Sequence, residues 1–244
     1  MPANEAEAVG AWLLDAFPSG IEERDLDGIA ELTVYTDEAG EARLLAVHPG
    51  ASSEPVDEGW EDRWKEFHRP VRAGGLWIGP PWIQAPAGER AVVVDPGRAF
   101  GTGAHATTRA CIELLASVER GGVLDAGCGS GVIAVAAARM GFAPVLAVDL
   151  DEVAVSVAAE TVRLNGVVVD VARADVLSDD LPSTDVLVAN IELAIVERLL
   201  ARAQARFAVT SGYLEAETPS APAWTHAVRL ELEGWAADVF AGPH

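Results

Sequence analysis

The chain reads as an α/β protein. The expected core is a mostly parallel sheet with helices on both faces and an antiparallel hairpin at one edge, preceded by a small α+β domain. Three observations predict this. From residue 91 onward, apolar runs of strand length and helix length alternate. A glycine-rich turn joins one such strand to one such helix in VLDAGCGSGVIAVAAA, Val123 to Ala138. The last two apolar runs have only Glu233-Gly234 between them, which leaves no room for a helix and calls for an antiparallel pair. With 244 residues, half of them hydrophobic, the chain can bury one full α/β core and carry a small appendage.

Residues 4–16, NEAEAVGAWLLDA, pattern as a short amphipathic helix. Residues 31–47, ELTVYTDEAGEARLLAV, pattern as a hairpin whose strands flank Asp37-Glu38-Ala39-Gly40. The Pro/Gly/Ser/acid segment 48–59 reads as a linker. Beyond it, Trp60, Trp64 and Phe67 share one face of a helix that Pro70 ends. A strand is expected at 76–78, stopped by Pro80-Pro81. Further strands are expected at 91–94, 122–126, 144–149, 167–172, 186–190, 205–211, 228–232 and 236–240, and helices at 107–119, 132–140, 152–164 and 193–203. The predicted organisation is therefore a small domain over 1–55, a linker helix and connecting segment over 56–83, and the large α/β domain over 84–244.

Composition narrows the function. The formal charge is −21, and Lys65 is the only lysine among 17 basic residues. Phosphate contacts need a basic face, so direct nucleic-acid binding is not expected. A basic protein partner suits the charge, although acidity also simply keeps a chain soluble. No apolar run reaches the ~18 residues of a membrane span. The opening MPANEAEAVG lacks the basic, then apolar, layout of a signal peptide. Cys111 and Cys128 are too few for a disulfide scaffold and badly spaced for zinc, so a reducing, cytoplasmic setting without a metal is expected.

The glycine turn points to a nucleotide. A P-loop places Lys-Ser or Lys-Thr after its glycines, and this chain has no lysine there. A dinucleotide fingerprint spaces its glycines G-x-G-x-x-G. Here Gly127 and Gly129 fit, but Val132 occupies the third position and the third glycine comes at Gly131. Asp149, the first acid after the next strand, is placed to hydrogen-bond ribose hydroxyls in either cofactor class, so it does not discriminate. Asp125, two residues before the first glycine, does. VLDAGCGSG resembles the first motif of class I S-adenosylmethionine-dependent methyltransferases, which have a Rossmann-like sheet. That cofactor carries an ammonium, a carboxylate, a ribose and a sulfonium, and no phosphate. The resemblance implies close approach of the cofactor at Gly127 and Gly129, an Asp125 carboxylate on its ammonium side, and Asp175 of ARADVL near its adenine amino group. Asn190 ends VLVAN at a strand tip, where open α/β sheets bind ligands. It is followed by Ile191-Glu192-Leu193 rather than the Pro-Pro-aromatic of enzymes that act on adenine or glutamine nitrogen.

A second stretch is more specific. VDPGRAFGTGAHATTRACIELL, Val94 to Leu115, closely resembles the D-P-G-x-A-F-G-T-G-x-H-x-T-T signature of PrmA-type methyltransferases, which modify a large-subunit ribosomal protein. VLDAGCGSGVIAVAAA, AVDLDEVAV, VLVANI and Ser211-Gly212-Tyr213-Leu214 fall in that family's order, and the resemblance covers roughly residues 59 to 240. It implies S-adenosyl-L-methionine as cofactor, with Thr108, Gly127, Asp149 and Asn190 among its contacts. Phe100 is either laid against the sulfonium, a contact of ~0.5–2 kcal/mol, or part of the core. His105 either acts as a base or holds its loop by hydrogen bonds, and Cys128 reads as a small filler. The implied acceptors are lysine side chains and an N-terminal amine of a basic ribosomal protein, with Asn190 orienting the nitrogen. The family's N-terminal substrate-reading module is expected here in shortened form. Two other functions share the same site: a lysine methylase for a different protein, and a cofactor-binding interaction module without activity.

Overall fold

The computed structural model describes residues 9, 13, 22–26, 29–34, 36, 38–53, 68–95 and 103–242. The chain divides into two compact units, Met1–Glu61 and Asp62–His244.

In the first unit, β1 (Glu22–Leu26) pairs antiparallel with β2 (Ile29–Thr33), and α1 spans Glu38–Val47. The expected hairpin over 31–47 is corrected: its first half belongs to β2, and its second half is helical. EAGEARLLAV is built mainly of strong helix formers, and their propensity outweighs an apparent two-residue alternation. Leu26 pairs with Ile29, so the hairpin of this unit is β1 with β2, a pairing the sequence reading passed over. Apart from residues 9 and 13, both helical, the expected helix over 4–16 lies outside the described residues, as does the aromatic helix of Trp60, Trp64 and Phe67.

The second unit opens with a three-stranded sheet of β3 (Val71–Ala73), β4 (Leu76–Gly79) and β5 (Ala91–Val93) in the order β3-β4-β5. Here too the expectation is corrected. The strand at 91–93 runs parallel to β4 in this small sheet and does not join the large one. Asn165 explains how a strand this short is held. Its Oδ1 accepts from Val93 N at 2.8 Å and its Nδ2 donates to Val93 O at 2.7 Å, so one side chain pairs with the edge of β5 as a neighbouring strand would.

The large sheet contains β6 (Val123–Ala126), β7 (Val145–Asp149), β8 (Asp170–Arg173), β9 (Thr184–Asn190), β10 (Ala205–Leu214), β11 (Thr225–Leu232) and β12 (Trp235–Ala241). Its order is β11-β12-β10-β9-β6-β7-β8. The five strands from β8 to β10 are parallel, and β12 runs antiparallel between β10 and the edge strand β11, as the helix-free junction predicts.

Four helices cover this sheet: α2 (Ala106–Ser117), α3 (Val132–Met140), α4 (Glu152–Asn165) and α5 (Leu193–Leu200). Side-chain alternation assigns the faces. Val123, Val186 and Val188 pack with Ile112, Leu115, Val135 and Ala158 from α2, α3 and α4, whereas Leu124, Leu187 and Ala189 pack with Val196, Leu199 and Leu200 from α5. Each fully buried Val or Leu contributes about 1.5–3 kcal/mol, so this two-faced core is what holds the strand tips in place. The chain leaves β6 toward β7 and β8, then returns to the other side of β6 as β9. That reversal opens a crevice beyond the carboxyl ends of β6 and β9.

Candidate functional site

The crevice is built from the glycine turn outward. Gly127 N and Cys128 N both donate to Val148 O, at 2.8 and 3.0 Å, which folds the chain sharply after β6. Gly127 has φ +74°, and a Cβ there would stand 2.6 Å from Ile191 Cγ2. Only glycine satisfies both the left-handed backbone and the close approach. Gly129 N donates to Asp149 Oδ2 at 2.9 Å, and Asp151 N donates to Asp149 Oδ1 at 3.0 Å. Two backbone N–H groups thus fix the Asp149 carboxylate at the tip of β7, half-buried, beside the glycine turn.

Asp125 is fully buried on β6. Its Oδ2 accepts from Ala134 N at 3.0 Å, in the first turn of α3, where an N–H has no helical partner. Gly131, the residue before that helix, has no side chain to cap it, so the strand supplies the cap. Asp125 Oδ1 has no hydrogen-bond partner among the described residues. Burial pushes the Asp125 carboxyl up to about 7, the Ala134 N–H opposes that rise, and the nearby Asp149 charge adds to it.

Asn190 ends β9, and its Nδ2 donates to Thr108 Oγ1 at 3.3 Å. The structure therefore joins two residues 82 positions apart that the sequence singled out separately. Thr108 is buried in the first turn of α2. His105 caps that helix: its Nδ1 accepts from Thr107 N at 3.4 Å and lies 2.8 Å from Thr107 Oγ1, while its ring meets Trp235 edge-on at 5.0 Å. That geometry matches the loop-holding alternative for His105.

Asp175, after β8, is occupied with its own turn. Its Oδ1 accepts from Leu177 N and its Oδ2 from Ser178 Oγ, both at 2.9 Å. These bonds hold its carboxyl below the ordinary carboxylate range. Cys128 is buried and its thiol is pushed far up by burial, which leaves no nucleophile there. Phe100 lies outside the described residues.

The structure thus links Gly129 to Asp149, sets Gly127 against Ile191 next to Asn190, and joins Asn190 to Thr108, with Asp125 buried on the strand that leads into the glycine turn. Sequence reading missed Ile191, which fills the space left by the absent Gly127 side chain. It also missed Leu150 and Val153, large apolar side chains left exposed just after Asp149. The signal for these was faint: apolar residues following a strand tip. Two cavities, of about 230 and 800 Å³, open at the opposite end of β9 and β10 around Ser183, Thr184, Gln204 and Ala205, and neither includes the glycine turn.

Residues 21–217 match the family model described as Ribosomal protein L11 methyltransferase (PrmA). The chain is 40% identical over 183 residues to the ribosomal protein L11 methyltransferase of Caldicellulosiruptor bescii, a match covering 73% of this chain and 57% of that protein. It is 38% identical over 219 residues to the protein of the same name from Streptococcus pneumoniae strain Spain 23F-1, covering 86% of this chain and 67% of that one. The matched regions span between half and two thirds of these curated relatives. Among solved structures, a ribosomal protein L11 methylase from Lactobacillus delbrueckii subsp. bulgaricus superimposes with a TM-score of 0.65 at 26% identity, over 72% of this chain and all of that one.

Proposed function

The chain belongs to the ribosomal protein L11 methyltransferase (PrmA) family, and from that premise we propose that it transfers methyl groups from S-adenosyl-L-methionine to lysine or N-terminal amines of ribosomal protein L11. The observation that carries the reading is the character of the crevice. A bare glycine turn lies between the carboxylates of Asp125 and Asp149, with one Asp125 oxygen unpartnered among the described residues. Such a site favours a ligand bearing cations and ribose hydroxyls and disfavours a pyrophosphate.

When bound, the cofactor supplies a methyl group already activated by a sulfonium. Asp149 would accept from the ribose hydroxyls, Asp125 would face the ammonium, and Gly127 and Gly129 would let backbone approach. Exposed Leu150 and Val153 offer apolar ground for the adenine, and Asp175, with its carboxylate also serving its turn, follows β8 where Ala174 N donates to Asp149 O. Phe100 remains a candidate for the sulfonium side.

The acceptor amine sets the energetic problem. A lysine of ordinary pKa near 10.4 costs about 4–5 kcal/mol to deprotonate at pH 7. A partly apolar crevice lowers that cost by disfavouring the ammonium. Asn190 does the orienting. With Nδ2 committed to Thr108, its Oδ1 is left to accept from the neutral amine and aim the lone pair along the displacement axis. Proton loss to water completes the step, since no carboxylate's position in the crevice calls for a base.

The segment 1–55 would read the substrate protein, 56–83 would connect it, and 84–244 would carry the chemistry, in the cytoplasm. Donor labelled in its methyl group tests the proposal, offered with recombinant ribosomal protein L11 and, separately, with whole-cell lysate. Label in the ribosomal protein supports it. Label only in another protein changes the substrate, and donor binding without any transfer leaves a binding module.

A further inference from the structure

Ile191 is held from two sides. Its side chain lies against Gly127, and its backbone lies against Gly212 of β10, where a Cβ would stand 2.1 Å from Ile191 O and 2.9 Å from Ile191 N. Ile191 N also donates to Ser211 O at 3.1 Å. The Asn190-Ile191 peptide is therefore seated on the Ser211-Gly212 peptide, and any shift of one moves the other.

That seat is irregular by construction. β10 and β12 change register between Ser211 and Tyr213, a β-bulge in which Gly212 has φ +101°. Both flanks of the bulge are braced on β12. Ser211 Oγ donates to Ala236 O at 2.7 Å. Tyr213, almost fully buried, donates its hydroxyl to Asp238 Oδ2 at 2.8 Å. Asp238, fully buried, also accepts from Arg229 Nε and His226 Nε2 on the edge strand, at 3.0 and 2.7 Å. Arg229 further donates to Glu215 O and Glu217 O, tying down the chain that follows the bulge. A buried, charged network of this kind is a costly way to stabilise a sheet edge, because burying ions rarely yields net stability. Its location behind the seat of Asn190 suggests another use.

We propose that Tyr213 and Asp238 are positioning residues for methyl transfer: through the Gly212 bulge they fix the Ile191 peptide and thereby the reach of the Asn190 carboxamide. This rests on the reading that Asn190 orients the acceptor amine. Neither residue touches donor or acceptor, so their effect is confined to the geometry of the acceptor side.

The full-length chain carrying Tyr213→Phe or Asp238→Asn tests this against Trp224→Phe. The last removes a comparable buried hydrogen bond, from Trp224 Nε1 to Leu200 O at 2.8 Å, on the same face but away from the bulge. Four quantities are read: donor affinity by calorimetry, kcat on ribosomal protein L11 at saturating donor, melting temperature, and the side-chain amide resonance of Asn190. The expected result for the bulge variants is kcat down about tenfold, donor Kd within about twofold, and a displaced Asn190 resonance. Trp224→Phe should lose melting temperature alone. If Tyr213→Phe does not fold, the nearly isosteric Asp238→Asn decides. Unchanged kcat and an unmoved Asn190 resonance in folded bulge variants would overturn the proposal. If the unaltered enzyme transfers no methyl to the ribosomal protein, the function reading fails instead, and the Asn190 resonance still decides whether the bulge positions it.

Discussion

Asp125 sits in an environment at odds with its charge: a fully buried carboxyl with one N–H partner among the described residues. Its folded value, about 7, lies above the ordinary 3.8, so the fold binds this proton more tightly than the unfolded chain does. The sign follows. The group costs nothing at low pH, its cost builds as pH rises from about 4 to about 7, and it levels off near 4 kcal/mol above that. Asp125→Asn should therefore gain roughly 2–3 kcal/mol on the unaltered chain between pH 5 and pH 8, read by urea unfolding at the two pH values. A constant difference would mean the carboxyl titrates normally. Asn190→Ala makes a different demand: donor affinity held within a few-fold while kcat falls about 100-fold, read by calorimetry beside a transfer assay.

The same residues show what a sequence can disclose. Asp149, Gly127 and Asn190 were legible because each sits at a fixed offset from a strand end, and strand ends are set by local pattern. The bond from Asn190 to Thr108 was not legible as a contact, since 82 positions separate them and only the folded sheet brings α2 over β9. Nor was the commitment of Asp175 to Leu177 and Ser178, because an aspartate that caps a turn and one that binds a ligand look alike in a sequence.

At the scale of elements, long alternating segments were read within a few residues, and α3 was read at its observed bounds, Val132–Met140. The misreadings came where segments were short. Residues 38–47 made a plausible strand by alternation and are a helix by propensity, and β5 joins a neighbouring small sheet because Asn165 on α4 pairs with its edge. The latter arrangement is open to test. Asn165→Ala leaves Val93 N and O without those partners and should cost about 2 kcal/mol of stability, read by thermal or denaturant unfolding. Gly127→Ala tests the turn between β6 and α3. A Cβ 2.6 Å from Ile191 Cγ2, on a backbone at φ +74°, should cost at least tenfold in donor affinity with less effect on melting temperature.

At the scale of the whole molecule, the charge of −21 meets a substrate expected to be basic. Attraction of that kind acts on encounter and is screened by salt, so kcat/KM for the ribosomal protein should fall roughly tenfold between 50 mM and 500 mM salt while donor Kd stays nearly constant. A flat salt profile would assign the acidity to solubility alone. Among the described residues no helix is long and apolar enough to cross a membrane.

The expectations for activity and donor affinity depend on what fills the crevice between β6 and β9. A crystal structure of the protein with S-adenosylhomocysteine decides it. The predicted result places the ribose hydroxyls on Asp149, the amino-acid end beside Gly127 on the Asp125 side, and the sulfur facing Asn190. Density for the ligand in the cavities at the other end of β9 and β10, or a crevice closed by the glycine turn itself, would contradict the account.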